Sequence, residues 1–483
     1  MLSRVFPRTF MDDEDGGVLV FGAILLVAFF GLVSLIFDMG RMANTQTELQ
    51  SYADSVALAA AAELDGKADS ITRAQAAAAS LISDTQTYAD GAKTLDPAEV
   101  LTLTFYTPDD DGDFSRLSSL ETTNGRLARF VTADIADHTV APGLGAAFIA
   151  MRGGEDLRST VAANATAGFA LQACNVAPVA ACLPTVDFEA EASIGDTLRL
   201  QTALNVGQLL PGQIAAVDTV TNLLDGLEIC AGLFGSSLEA CLLAARQPET
   251  ACMGPGGLQI SADVNGNDLL DALNTRFDLF KGIASPFAND SDFSGAPNVL
   301  TGLTNALGIC LPIDLGGLLG SGEDIGLPAD DCFEAGTCGV QGDGSWSLGR
   351  QAYIDAHYDG TDPYPNAQTR FEFYQAEINA SVNFEPVLDL GGLLGGGAAP
   401  QACAPQQNLD PNRRLMVVAG IDCNSASVDV NASTAPVQQF FEVFALGPGE
   451  NGALEVEITA CLGGDCGGGN LGTDVRDIVR LVE

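Results

Sequence analysis

Apolar residues are distributed unevenly along this chain, and the densest run lies near its start. From Gly16 to Phe37 no residue is charged, and Ser34 is the one conventional polar side chain. At helical rise such a run spans roughly 30 Å, the thickness of a bilayer core. A core helix of a soluble protein keeps a polar face; this run has none and predicts a membrane-spanning helix. A cleavable secretory signal carries a shorter apolar core and a small-x-small site, whereas Phe37, Asp38, Met39, Gly40 and Arg41 follow here, so the segment is expected to stay uncleaved. Arg4 and Arg8 precede it, and because carboxylates count for little in the positive-inside rule, the N-terminus is expected in the cytoplasm and the body outside it.

Helical periodicity continues past the apolar run. Leu49, Tyr52, Ala53, Val56, Ala57, Ala60 and Leu64 recur every three or four residues, with Gln46, Gln50 and Asp54 turned away. One helix is therefore expected from the membrane to about Leu64, ended by Gly66, and followed by a second alanine-rich helix over Ser70–Ser83. A lipid-embedded helix that emerges as an amphipathic one also describes a type IV pilin-like protein. Beyond it, "VLTLTFYT", "RLARFVTADIA" and "STVAANATAGFAL" carry the valine, threonine and aromatic content of strands. Further on, "GQIAAVDTVTNLLDGL" and "LGRQAYIDAHY" predict helices, while "RFEFYQAEINASVNF", "RLMVVAGI", "QFFEVFAL" and "LEVEITACL" predict strands. The fold class that follows is α+β.

Composition sharpens this picture. The 63 Asp and Glu against 21 Lys and Arg give a net charge of −42, a surface that repels nucleic acid and anionic headgroups. All twelve cysteines follow the apolar run: Cys174, Cys182, Cys230, Cys241, Cys252, Cys310, Cys332, Cys338, Cys403, Cys423, Cys461 and Cys466. An even count in this position predicts disulfides in an exported body. The spacings are wider than a zinc knuckle, and only two histidines are present. Cys174 with Cys182, Cys332 with Cys338 and Cys461 with Cys466 make the shortest local loops, though pairing is not readable from spacing.

The stretch "DEDGGVLVFGAILLVAFFGLVSLIFDMGRMANTQTELQSYADSVALAAAAEL" resembles the N-terminal region of TadG-like proteins of the Flp, or tight-adherence, pilus assembly system. The residues that carry the likeness are Glu14, Gly16, Asp38, Gly40, Arg41, Leu49, Gln50, Ala53, Asp54 and the alanines that follow. It continues more thinly through "ACNVAPVAACLP", "LNTRFDLF", "CGVQGDGSW", "RRLMVVAGIDC" and "DIVRLVE". The resemblance implies a bacterial inner-membrane, single-pass protein of pilus biogenesis, with its body in the periplasm and no enzymatic activity. Its partners would be the lipid bilayer and other Tad assembly proteins or pilin-like subunits, with no nucleic acid and no small-molecule substrate. The division expected is a cytoplasmic tail (1–15), a transmembrane helix (16–37), a TadG-like helical hairpin plus α+β domain (38–172) and a cysteine-rich, β-rich domain (173–483). The rival readings are a minor pilin or adhesin that rides in the fibre, and a membrane-tethered secreted hydrolase.

Two family patterns are not met. The Asp-x-Ser-x-Ser loop of a von Willebrand factor A domain is replaced by Asp290-Ser291-Asp292-Phe293-Ser294, in the wrong order. Cleavage after Gly16 or Gly17 would put Phe21 or Gly22 where a prepilin carries glutamate, with Glu14 on the removed side, so prepilin processing is not expected.

Candidate chemistry is sparse. Asp109, Asp111 and Asp113, and separately Asp263, Asn265 and Asp268, gather oxygens as calcium loops do, but neither completes an EF-hand. His138 and His357 lack a nucleophile elbow or a His-Glu-x-x-His helix, so no catalytic residue is assigned. The glycine tracts at 316, 391 and 463 lack the strand-to-helix setting that binds phosphate and read as loops, so no cofactor is expected. Trp346, the single tryptophan, is expected in the core.

Overall fold

The computed structural model describes residues 17–81, 86–88, 91–93, 100–109, 112–140, 144–145, 159–174, 176–203, 207–218, 229–246, 253, 258–261, 263–297, 302–304, 310–312, 327–380, 402–403, 410–424, 428–429, 434–435, 437–463, 466, 468–473 and 475–482. In chain order the main elements are α1 (Gly17–Ala61), α2 (Ser70–Leu81), β1 (Leu101–Tyr106), β2 (Phe130–Val140), β3 (Ser159–Ala173), β4 (Val179–Cys182), β5 (Thr197–Thr202) and β6 (Gln213–Ala216). They continue with α3 (Ser236–Ala244), α4 (Gly266–Leu273), α5 (Ser347–His357), α6 (Arg370–Asn379), β7 (Leu415–Ile421), β8 (Val437–Ala445), β9 (Ala453–Leu462) and β10 (Val475–Leu481).

Helix α1 runs 45 residues without a break and ends three residues before Leu64. Its C-terminal half is an ordinary amphipathic helix. Leu49, Tyr52, Ala53, Val56, Ala57 and Ala60 are buried, against α2 through Ala74 and Ala78 and against an antiparallel sheet of order β10-β3-β2-β1. The sheet offers Ala163, Ala165 and Ala167 from β3, and such small side chains let the helix lie close. At Gly66 the chain turns with φ +87°, a left-handed conformation that favours glycine.

The second unit is a closed six-stranded barrel, β7-β8-β9-β5-β6-β4. Two of its contacts, β5 with β6 and β4 with β7, are parallel. Alternation along β8 and β9 sends Phe441, Val443, Val456 and Ile458 into a core shared with α3 and α4. A third cluster, Trp346, Ile354, Phe371, Phe373, Tyr374, Leu415 and Phe444, lies under α5 and α6, which places Trp346 in the core. Mixed helix and strand content with several disulfides makes the fold α+β with a disulfide-rich domain.

Two expectations are corrected. The start of "GQIAAVDTVTNLLDGL" forms β6, because its short apolar run finds strand partners on both sides, whereas residues 219–228 lie outside the described residues. "RFEFYQAEIN" forms helix α6 rather than a strand: Thr369 and Glu372 make a reciprocal capping box that satisfies the first-turn amides. The C-terminal strand β10 pairs antiparallel with β3, Val475 opposite Ala173 and Leu481 opposite Ala167.

Candidate functional site

Apart from the side that carries Ser34 and Asp38, the N-terminal half of α1 stands clear of the body up to Met39. Fifteen large apolar side chains between Leu19 and Met39 are exposed, from 40% at Val33 to 79% at Leu19. Fully burying one such side chain is worth about 1.5–3 kcal/mol, so leaving fifteen largely uncovered forgoes on the order of 10 kcal/mol or more in water. The helix is long and apolar enough to cross a membrane by length and composition. Gly22 and Gly40 lie on one flank of it, about five helical turns apart, and an added Cβ at either would meet nothing within 4 Å.

The junction between the exposed and packed halves is built by polar residues of the repeated pattern noted in the sequence. Asp38, at the end of the apolar run, accepts the backbone N–H of Leu144 (3.2 Å) and of Gly145 (2.6 Å) in the β2–β3 connection. Thr45 returns its hydroxyl to Arg41 O within the helix. Two turns beyond Asp38, Gln46 Nε2 donates to Ala162 O (2.7 Å), and Gln50 Nε2 donates to Asn164 O (2.8 Å) and Asp54 Oδ1 (2.9 Å). These carbonyls belong to the stretch of β3 that β10 does not reach. Val482 N takes Thr166 O, the last carbonyl on that side to receive a strand, and the glutamine amides continue the ladder. Gln46 and Gln50 are thus not simply turned to solvent: they close a sheet edge that would otherwise offer unpaired acceptors. Leu49 and Ala53 between them are fully buried, so the Leu-Gln-x-x-Ala-Asp pattern works as a clamp of helix on sheet.

The thinner matches further along also resolve into fold-holding roles. Arg276 of "LNTRFDLF" donates to Leu243 O (2.9 Å), and Arg413 of "RRLMVVAGIDC" donates to Ala244 O (2.7 Å), Ala245 O (3.3 Å) and Ser294 O (2.8 Å). Both guanidiniums sit at the C-terminal end of α3, where carbonyl dipoles favour a cation. Burial lowers both pKa values, that of Arg276 to about 10, and the proximity of the two lowers Arg413 further. "DIVRLVE" supplies β10. "CGVQGDGSW" supplies Cys338 and Gly344, whose N–H reaches Asp330 Oδ2 at 2.8 Å.

Asp330 is one corner of a fully buried ionic group that no single stretch of sequence announced. Arg370 pairs with Asp330 and with Glu457 (3.1 Å), all three side chains having no exposure. Asp330 also takes Thr197 N and Oγ1, and Glu457 takes the N–H groups of Arg370 and Phe371 at 2.8 Å, so the group joins α6 to β5 and β9. Burial pushes the Glu457 carboxyl up, against the lowering by Arg370 and the amides.

Disulfides connect Cys182–Cys423, Cys230–Cys241, Cys332–Cys338 and Cys461–Cys466, and no cysteine among the described residues is free. The Cys174–Cys182 loop is not formed. Cys182 ends β4 beside the end of β7, parallel and in register with Ile421, which brings Cys423 within a Cα–Cα distance of 5.4 Å. Cys174 is disulfide-bonded elsewhere, Cys252 lies outside the described residues, and for Cys310 and Cys403 the backbone alone is described, on strands flanking residues 302–304.

The remaining sequence candidates do not converge on a chemical centre. Asp109 Oδ1 accepts Asp113 N (2.8 Å) in its own turn, and Asp111 lies outside the described residues, as do Glu14 and Gly16. Asn265 is the N-cap of α4, accepting Asn267 N and Asp268 N, while its amide donates to the Asp268 carboxylate. Asp263 donates its N–H to Ser261 Oγ at 3.1 Å. Asp330, Cys332 and Asp343 bring possible ligand atoms together, but the Cys332 sulfur is in a disulfide and Asp330 is held by Arg370. His357 closes α5 with its ring 4.4 Å from that of Tyr353, and His138 lies in β2 opposite Val161, its side chain outside the description.

Residues 16–63 match the model of a family described as putative Flp pilus-assembly TadE/G-like. That span coincides with α1 and its clamp. No curated protein and no solved structure matches the chain.

Proposed function

With a TadE/G-like segment over residues 16–63 as the premise, we propose that the protein is a membrane-anchored accessory, a scaffold, of Flp pilus assembly. The observation that carries this reading is the coincidence of the family segment with a helix that is apolar and exposed in its first half and clamped to a large body in its second. In this reading α1 crosses the bacterial inner membrane once, with its N-terminus in the cytoplasm and the disulfide-bonded, acidic body in the periplasm. It works by binding rather than by bond-making, as part of the machinery that lets the cell adhere. The Gly22–Gly40 flank is the natural seat for another apolar helix, from a pilin-like subunit or another assembly component. Glycine costs a helix about 1 kcal/mol relative to alanine, and close approach of a second backbone is a reason to keep it.

The test is deletion of the gene with complementation, scoring surface pili and adherence. The reading expects loss of both, with the protein remaining in the membrane fraction when pili are sheared off. Normal piliation in the deletion strain, with no second copy of the gene, would sink it. Recovery of the protein along the sheared fibre would instead make it a minor pilin.

A further inference from the structure

The β2–β3 connection is held to α1 at a telling height. The apolar run ends at Phe37, and the next residue, Asp38, accepts hydrogen bonds from Leu144 N and Gly145 N, more than a hundred residues away. Ser34, one turn earlier on the same side, is only 7% exposed, so the chain covers this side of the helix inside the apolar run itself. Gly40 and Gly22 face roughly the opposite way. Around the contact, Phe37, Met39 and Leu144 leave 52%, 62% and 46% of their surfaces uncovered. In a chain with 63 acidic residues, the sequence from Thr139 to Met151 carries no charge.

We propose that Leu144 and Gly145 form a second contact with the phospholipid bilayer, with Leu144 entering the interfacial zone beside Phe37 and Met39. This rests on the reading of α1 as a membrane anchor. A carboxylate and two backbone amides at the edge of a hydrocarbon core each lose hydration, and pairing them with one another removes that penalty. The same pairing sets the depth of Leu144, because Asp38 is fixed by the helix and Leu144 by Asp38. An acidic body is repelled by anionic headgroups, so an uncharged segment is the part of it that can approach. Two contacts rather than one stop the body from swivelling about the helix axis, and they present the open Gly22–Gly40 flank in a constant direction.

The experiment uses the full chain in phosphatidylcholine vesicles whose acyl chains carry bromine either near the glycerol or near the chain ends. Leu144→Trp reports the proposed contact and Phe29→Trp reports the span, with the buried Trp346 of the unchanged chain as background. The proposal expects a blue-shifted added emission at position 144, with most of it lost to the shallow bromine and little to the deep, and that loss removed by Asp38→Ala. Added emission quenched by aqueous iodide and by neither brominated lipid overturns the proposal, provided Phe29→Trp is quenched by the deep bromine. If Phe29→Trp ignores lipid bromine as well, the anchor reading itself fails and the proposal with it. Hydrogen exchange on the unchanged chain supplies a second reading. Amides of peptides containing Leu144 are expected to exchange more slowly in vesicles than in detergent micelles, and equal exchange counts against the contact.

Discussion

Glu239 offers a sharp test of the energetics of the barrel unit. It sits in the first turn of α3, 1% exposed, and its Oε2 has no hydrogen-bond partner among the described residues. Burial, with Asp218 and Asp263 adding repulsion against a lowering by Ser261, raises its pKa from 4.5 to about 7. The folded state then holds this proton over a pH range in which the unfolded state has released it. Stability falls as pH rises from about 4.5 to about 7, by up to about 1.4 kcal/mol per pH unit and about 3 kcal/mol in all. Other buried carboxylates, including Glu377 and Glu457, push in the same direction, and so does the growing negative charge of the chain. The informative quantity is therefore the difference between the parent and Glu239→Gln. Urea unfolding followed by the fluorescence of the single tryptophan, Trp346, should give the two equal stability near pH 4.5. Above pH 7 the variant should be the more stable, by up to about 3 kcal/mol. A difference that stays constant across that range, or a variant that is less stable at pH 8, would refute the assignment of a buried carboxyl with an unsatisfied oxygen.

Other outcomes follow from the same structure. Arg370→Met leaves Asp330 and Glu457 buried without their cation and should cost at least about 3–5 kcal/mol, seen as a large drop in the thermal midpoint; a small drop means the group is solvated. Gln46→Ala with Gln50→Ala removes the two edge bonds and should cost about 1 kcal/mol for each, with faster hydrogen exchange along the open end of β3 and more self-association. Gly40→Ala meets no clash and should leave the folded body as stable as before or slightly more so. It should nevertheless reduce pilus number if a partner helix packs on that flank; unchanged piliation removes the close-approach argument. Replacing Cys182 and Cys423 by serine opens a link between residues 241 positions apart. It should lower stability by about 5 kcal/mol if the unfolded chain is the reference.

The N-terminal fifth of the chain was legible because its signals are local. A charge-free run, an i, i+3, i+4 apolar pattern and a terminating glycine predict α1 and its packed face, and the observed helix ends within three residues of Leu64. The roles of Gln46 and Gln50 were not legible, since their partners are carbonyls more than a hundred residues away. The same reason hid the barrel. Its strands β4, β5 and β6 come from one part of the chain and β7, β8 and β9 from another, and short runs such as Gln213–Ala216 take their conformation from strand partners rather than from propensity. For α6 the signal is present in Thr369 and Glu372, but the alternation of Phe371 and Phe373 beside it carries the period of a strand. Cys182 illustrates the limit for disulfides: the near cysteine in sequence is not the near one in space.

The most direct measurement is a pilus count in a deletion strain complemented by the body alone, residues 40–483, exported to the periplasm behind a cleavable signal. The body keeps Gln46, Gln50 and the packed half of α1, so it should fold and oxidise, which a disulfide assay on the periplasmic fraction would confirm. The account predicts few or no pili from that strain and full piliation from the intact chain. Normal piliation supported by the released body would contradict the claim that this protein works as an anchored component of the assembly machine.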